Sequence, residues 1–115
     1  MARTTLTPTS IAGGSSVGLG FVEFLWTAAD AVNFNQFASV AGKEILLARN
    51  TNADSPAVSR KVTVHKTNGK IEYTLAGGAY VTVGQIPTSG FKQADTYVYV
   101  DGDHAELEFA VLVLP

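Results

Sequence analysis

Lys61-Val62-Thr63-Val64-His65-Lys66-Thr67-Asn68-Gly69-Lys70-Ile71-Glu72-Tyr73-Thr74-Leu75 is the stretch that decides the fold. Asn68-Gly69 is the dipeptide favoured by a two-residue type I′ hairpin, because both central positions need φ > 0. Centred on that pair, Thr67 faces Lys70, His65 faces Glu72, Val64 faces Tyr73, Thr63 faces Thr74 and Val62 faces Leu75. Val62, Val64, Tyr73 and Leu75 then share one face, and Thr63, His65, Glu72 and Thr74 share the other. A half-buried antiparallel pair requires that division.

Upstream of the hairpin, residues 44–49 are apolar on both faces, which suits a central strand. Turn-forming residues from Asn50 to Pro56 close it. Residues 21–26 read as an earlier strand, and residues 28–39 as a short helix or an irregular loop. Downstream, Gly77-Gly78 leads into residues 80–83, where a tight hairpin would mix polar and apolar residues on each face. The pattern therefore predicts a corner at which the chain changes sheets. A loop over residues 85–95 precedes a strand over 96–100, and Asp101-Gly102-Asp103 turns into a last strand over 105–114.

Short strands at close spacing, with no long helical pattern, predict an all-β fold. It is a compact antiparallel β-sandwich or barrel of about six to eight strands. Composition agrees, because Val, Ile and Thr together make 29 of the 115 residues, the β-branched usage of pleated surfaces. A chain of this length sustains one core. Residues 4–20 carry no charge and are rich in Thr, Ser, Gly and Pro, so residues 1–16 are expected to form an extended N-terminal arm. Residues 17–115 are expected to form the single domain.

With no cysteine, neither disulfides nor thiolate metal sites are available, and stability rests on packing and sheet hydrogen bonds. The N-terminus lacks a secretory pattern and no apolar run reaches bilayer length, so the expectation is cytoplasmic synthesis without a membrane partner. A net charge of −2 argues against nucleic acid, whose phosphates call for excess Lys and Arg. The charge is unevenly spread. Residues 43–70 carry six bases against two acids, while residues 95–108 carry five acids and no base. Two solvated faces explain this, and so does head-to-tail complementarity between subunits.

No catalytic constellation is found, so no enzyme activity and no cofactor are expected. His65 is accounted for by a cross-strand pair with Glu72, and no Gly-x-Ser-x-Gly elbow occurs. Gly13-Gly14-Ser15-Ser16 with Gly18 and Gly20 lacks the terminal Lys of a phosphate loop. Asp101-Gly102-Asp103-His104, with Glu106 and Glu108 nearby, holds oxygens of the kind that bind calcium, yet an Asp-Gly turn explains it without an ion. Trp26, the one tryptophan, is either a core ring or an interface anchor. In the last strand Leu107, Phe109, Val111 and Val113 line one face while Ala110, Leu112 and Leu114 make the other apolar. That pattern means a sheet interior or a subunit interface.

Several segments resemble a known family. Met1-Ala2-Arg3-Thr4-Thr5-Leu6-Thr7-Pro8, Trp26-Thr27-Ala28-Ala29-Asp30, Gly42-Lys43-Glu44-Ile45-Leu46-Leu47 leading to Asn50, and Lys92-Gln93-Ala94-Asp95-Thr96-Tyr97-Val98-Tyr99-Val100-Asp101 are similar, in this order, to small virion proteins of tailed bacteriophages. These are head-associated, decoration-like structural proteins. The resemblance implies a capsid decoration or auxiliary head protein that binds and stabilises the major capsid shell, located on the virion and assembled in the host cytoplasm. Its implied partners are the major capsid protein and further copies of itself, with a trimer favoured. The residues expected to carry those contacts are Arg3, Thr4, Thr5, Leu6, Pro8 and Ile11 in the arm, with Trp26, Leu112 and Leu114. The alternatives are a head-tail connector, neck or tail component, and a carbohydrate-binding attachment module using Tyr80, Tyr97, Tyr99 or Trp26.

Overall fold

A computed structural model describes residues 2–11, 23–40 and 42–114. Among them there is no helix, and ten strands form two five-stranded sheets packed face to face. The strands are β1 (Thr4–Thr5), β2 (Thr9–Ser10), β3 (Thr27–Ala28), β4 (Asn35–Ala38), β5 (Glu44–Asn50), β6 (Arg60–Lys66), β7 (Gly69–Leu75), β8 (Tyr80–Ile86), β9 (Tyr97–Gly102) and β10 (Leu107–Val113). The first sheet runs β1-β4-β9-β6-β7. The second runs β2-β10-β5-β8, with β3 also pairing β10. The fold is thus a β-sandwich, and its sheets are mixed rather than purely antiparallel, because β1 joins β4 and β2 joins β10 in parallel.

Alternation builds the core. Along β5 every second residue is buried, from Glu44 to Asn50, and along β9 Val98 and Val100 are buried while Tyr97 and Tyr99 are half-buried. The first sheet contributes Phe37, Val62, Val64, Leu75, Val98 and Val100, and the second Leu46, Ala48, Ile86, Leu107, Phe109 and Val111. Each of these side chains other than Ala48 contributes about 1.5–3 kcal/mol by leaving water. At Gly102 the first sheet approaches the second closely. A Cβ built there would sit 2.8 Å from the Ala29 Cβ and 3.2 Å from the Phe109 ring.

The hairpin keeps its predicted faces but not its predicted register. Val62 pairs with Tyr73, Val64 with Ile71, Thr63 with Glu72 and His65 with Lys70, so Thr67 and Asn68 make the turn. A slip of two residues preserves the parity of every side chain. Neither Thr67 nor Asn68 takes positive φ, and the Thr67 amide donates to the Gly90 carbonyl at 2.8 Å. That outside bond removes Thr67 from the ladder. The turn therefore has Gly69 in the fourth position, which suits a type I geometry.

Other expectations change as well. Over residues 23–26 there is no strand, since β3 begins at Thr27; residues 21 and 22 lie outside the described residues. The stretch 28–39 forms neither helix nor loop throughout, because Asn35 and Phe37 bury one face of β4. β9 runs on through Gly102, placing the last turn at residues 103–106. The predicted corner is present, with β7 in the first sheet and β8 in the second.

The described part of the expected arm is extended, yet it is built into the sandwich. The amides of Thr4 and Leu6 donate to Phe34 and Gln36, that of Ile11 donates to Val113, and Leu6 is 2 % exposed. The strap thus passes from the edge of one sheet to the edge of the other and plugs the core between them. Residues 12–16 lie outside the described residues.

Candidate protein-interaction face

The outward face of the second sheet is assembled from alternate residues of its central strands. Core-facing residues of β5 leave Ile45, Leu47 and Arg49 pointing away from the core, and β10 opposes them with Leu112, Ala110 and Glu108. Tyr80 of β8 lies across from Arg49. The apolar character of both faces of these two strands therefore has two causes: one face fills the core, and the other carries aliphatic groups that are half-buried at Ile45, Leu47 and Leu112 and buried at Ala110.

At one end of that surface stands an aromatic cluster around a fixed cation. The Arg49 guanidinium lies 4.5 Å from the Trp26 ring centroid and 6.0 Å from that of Tyr80. Glu108 holds it from the neighbouring strand, with Nη2 at 2.5 Å and Nε donating at 2.7 Å. The carboxylate raises the proton affinity of a group already charged. Trp26 meets Phe24 and Tyr80 edge to face, with centroids 5.8 and 6.2 Å apart. Tyr80 is 69 % and Leu25 85 % exposed. Beside the cluster a groove of about 330 Å³ is lined by Thr7, Thr9, Glu23, Phe24, Leu25 and Thr27. Tryptophan, tyrosine and arginine next to aliphatic surface are the residues that dominate binding energy at protein interfaces.

The expected contact residues separate into groups. Trp26 and Leu112 belong to this face, and the Leu114 amide, just past β10, donates to the Lys43 carbonyl. Pro8 and Ile11 are half-buried along the strap. Thr4 and Thr5 are exposed at the first sheet's edge, but Leu6 is core and not a contact. Arg3 is engaged on the other side of the molecule, bonded to Asp101 at 2.6 Å and stacked 4.2 Å from the Tyr99 ring. Arg49, Phe24, Ile45 and Leu47 were not anticipated. For Ile45, Leu47 and Arg49 the signal is the unbroken apolar run of β5 ending in an arginine.

The uneven charges meet inside the chain. β6 pairs β9 and β5 pairs β10, so the basic segment lies against the acidic one. Arg49 bonds Glu108, Arg60 bonds Glu106 at 2.6 Å, and His65 contacts Asp101 at 2.7 Å. These pairs lie within the chain, where the sequence offers either two solvated faces or head-to-tail complementarity between subunits. Of the carboxylates around the Asp101-Gly102-Asp103-His104 turn, Asp101, Glu106 and Glu108 each face a different basic group. Among the described residues no three His, Asp or Glu side chains converge as metal ligands. His65 faces Lys70 across the hairpin, not Glu72.

On the first sheet, the Tyr99 hydroxyl donates to Asp95, which lowers the carboxyl pKa and raises that of the phenol. A cavity of about 180 Å³ nearby is lined by Phe34, Lys61, Thr63, Asp101, Gly102 and Asp103, and the Asp101 carboxylate there is already held by Arg3 and His65. Comparison of the chain with known protein families, curated proteins and solved structures gives no match.

Proposed function

We propose that this chain is a structural protein of a bacteriophage virion, a decoration or auxiliary head protein that binds and stabilises the major capsid shell through the outward face of its second sheet. The observation that carries the reading is the Trp26, Arg49, Tyr80 cluster beside Ile45, Leu47 and Leu112. It joins rigid aromatic anchors to a cation already held in place by Glu108, so little side-chain entropy remains to be lost on docking. The resemblance of four ordered segments to small phage virion proteins supplies the partner. Repetition over a shell lattice allows each contact to be modest, since many weak sites act together.

A carbohydrate module would need open aromatic faces for sugar rings. One face of Trp26 is covered by Arg49 and one of Tyr99 by Arg3, which favours the protein partner, while Tyr80 at 69 % exposure remains open to either. The test is the copy number and position of the chain in purified particles, by quantitative mass spectrometry and cryo-electron microscopy. Copies spread over the whole shell support the proposal. A single ring at one vertex moves the protein to the neck or tail, and absence from particles with binding on a glycan array replaces the proposal with the attachment module.

A further inference from the structure

We propose that the free edge of β7 is a self-association surface, on which a second copy of this chain pairs its own β7 antiparallel about a two-fold axis at Ile71. The other outer strands are poor templates. β1, β2 and β3 have two residues each, and β8 is interrupted by a bulge where Gly84 takes a φ of 56°. Bulges and very short strands are the usual ways of blunting an edge. β7 has seven residues, no proline and an unbroken register with β6, and no described strand pairs its other side.

The direction of its backbone groups follows from its neighbours. The Asp103 amide donates to the Lys61 carbonyl, so odd-numbered residues of β6 address β9 and even-numbered ones address β7. Their partners there are Gly69, Ile71 and Tyr73. By the alternation of an antiparallel ladder, Lys70, Glu72 and Thr74 turn their N–H and C=O groups outward.

Charge then selects the register. Pairing Glu72 with the partner's Glu72 would place like charges directly opposite. Centring on Tyr73 would leave Lys70 opposite the partner's Ala76. Centring on Ile71 places Lys70 opposite the partner's Glu72, and Glu72 opposite the partner's Lys70. Opposite charges directly across an antiparallel pair stabilise it and like charges do the reverse. Both side chains remain accessible, at 59 % and 38 %, although within the chain Glu72 already meets Lys61 at 2.9 Å and Lys70 at 3.7 Å. The same register lays Tyr73, half-buried, across the partner's Gly69, beside which a Cβ would find nothing within 4 Å. Glycine there leaves room for the ring. The association is two-fold, in place of the trimer expected from the sequence, and it requires no capsid.

The chain has no cysteine, so single substitutions report the register directly. Ile71→Cys is expected to form a disulfide-linked dimer on mild oxidation, because non-hydrogen-bonded pairs bring Cα atoms within disulfide range, while Ser89→Cys on an exposed loop stays monomeric on a non-reducing gel. Sedimentation of the unmodified chain is expected to show a dimer. Lys70→Glu should weaken it roughly tenfold, and Lys70→Glu with Glu72→Lys should restore it. A monomer or trimer in sedimentation overturns the proposal. So does cross-linking through Glu72→Cys or Tyr73→Cys in preference to Ile71→Cys.

Discussion

The guanidinium carbon of Arg49 sits 4.5 Å from the ring centroid of Trp26, and this contact ties the ring to the second sheet beside its edge contacts with Phe24 and Tyr80. Among the described residues, the backbone next to Trp26 makes two ladder pairs, Thr27 with Phe109 and Ala28 with Glu108. Replacing Arg49 by Met keeps an aliphatic stem over the ring but removes the charge and the Glu108 bond. The expected outcome is a red-shifted emission from the sole tryptophan as water reaches it, with a small fall in melting temperature. An unchanged spectrum would mean that other contacts fix the ring.

Tyr80 separates docking from folding. At 69 % exposure its side chain adds little to the core, so Tyr80→Ala should alter stability by no more than about 0.5 kcal/mol. If the face binds a shell protein, loss of such an anchor costs about 2 kcal/mol, roughly thirtyfold in affinity. Titration of the variant against purified capsids measures this. Undiminished binding would remove the second sheet's outer face from the interaction.

Much of the sandwich was legible because side-chain parity is written locally. Val62, Val64 and Leu75 reveal their buried face from alternation alone, and that face survives the two-residue slip of the hairpin. The register itself was not legible, since it depends on a bond from Thr67 to Gly90, a residue more than twenty positions away. β4 was hidden for a different reason. Its buried face opens with Asn35, whose amide donates to the Thr4 carbonyl and whose oxygen accepts from the Asp30 amide, so a polar residue occupies a core position. Of the candidate face, Trp26 and Leu112 could be picked from type and position. Their companions Arg49 and Tyr80 come from other strands, and no local pattern links them. The charge asymmetry was plain in the sequence, but its meaning depended on which strands are neighbours.

Leu6 distinguishes a free arm from an integral strap. Its side chain is 2 % exposed within the core cluster, so Leu6→Ala should destabilise the fold by about 2–5 kcal/mol, the usual range for a buried leucine. Urea denaturation gives the value. A change near zero would mean that the strap leaves the sandwich in solution.

Gly102→Ala tests a close approach of the two sheets. The added methyl would meet the Ala29 Cβ at 2.8 Å, with the Phe109 ring and a Leu107 methyl at 3.2 and 3.3 Å. Overpacking of this kind costs about 1–3 kcal/mol, again measured by urea denaturation. Combining it with Ala29→Gly should recover part of the loss, because the nearest contact is then gone. Failure of that recovery would assign the strain to the Phe109 side.

Glu106 ties the acid stability of the fold to one network. Its carboxylate accepts from the Asn52 amide at 3.0 Å and from Arg60 at 2.6 Å, while Asn52, 3 % exposed, also fixes the Asp54 and Val58 amides. The Asn52 bond and then the Arg60 bonds hold the Glu106 pKa below its ordinary value near 4.5. In the unfolded chain the group returns to that ordinary value, so between the two values the unfolded state binds more protons and stability rises with pH. The contribution is complete above about pH 4.5 and is lost as the pH falls through the lower, folded value. Asp30, Glu72 and Asp95 are lowered as well and add to the same acid loss, so the wild-type curve alone does not identify the group. Glu106→Gln does. The variant should be less stable than wild type at neutral pH, with a gap that narrows through the acid range as wild-type Glu106 takes up its proton. Urea midpoints of both proteins down to about pH 2.5 measure the gap. Parallel curves would show that the network holds Glu106 no more tightly as a carboxylate than as a neutral group.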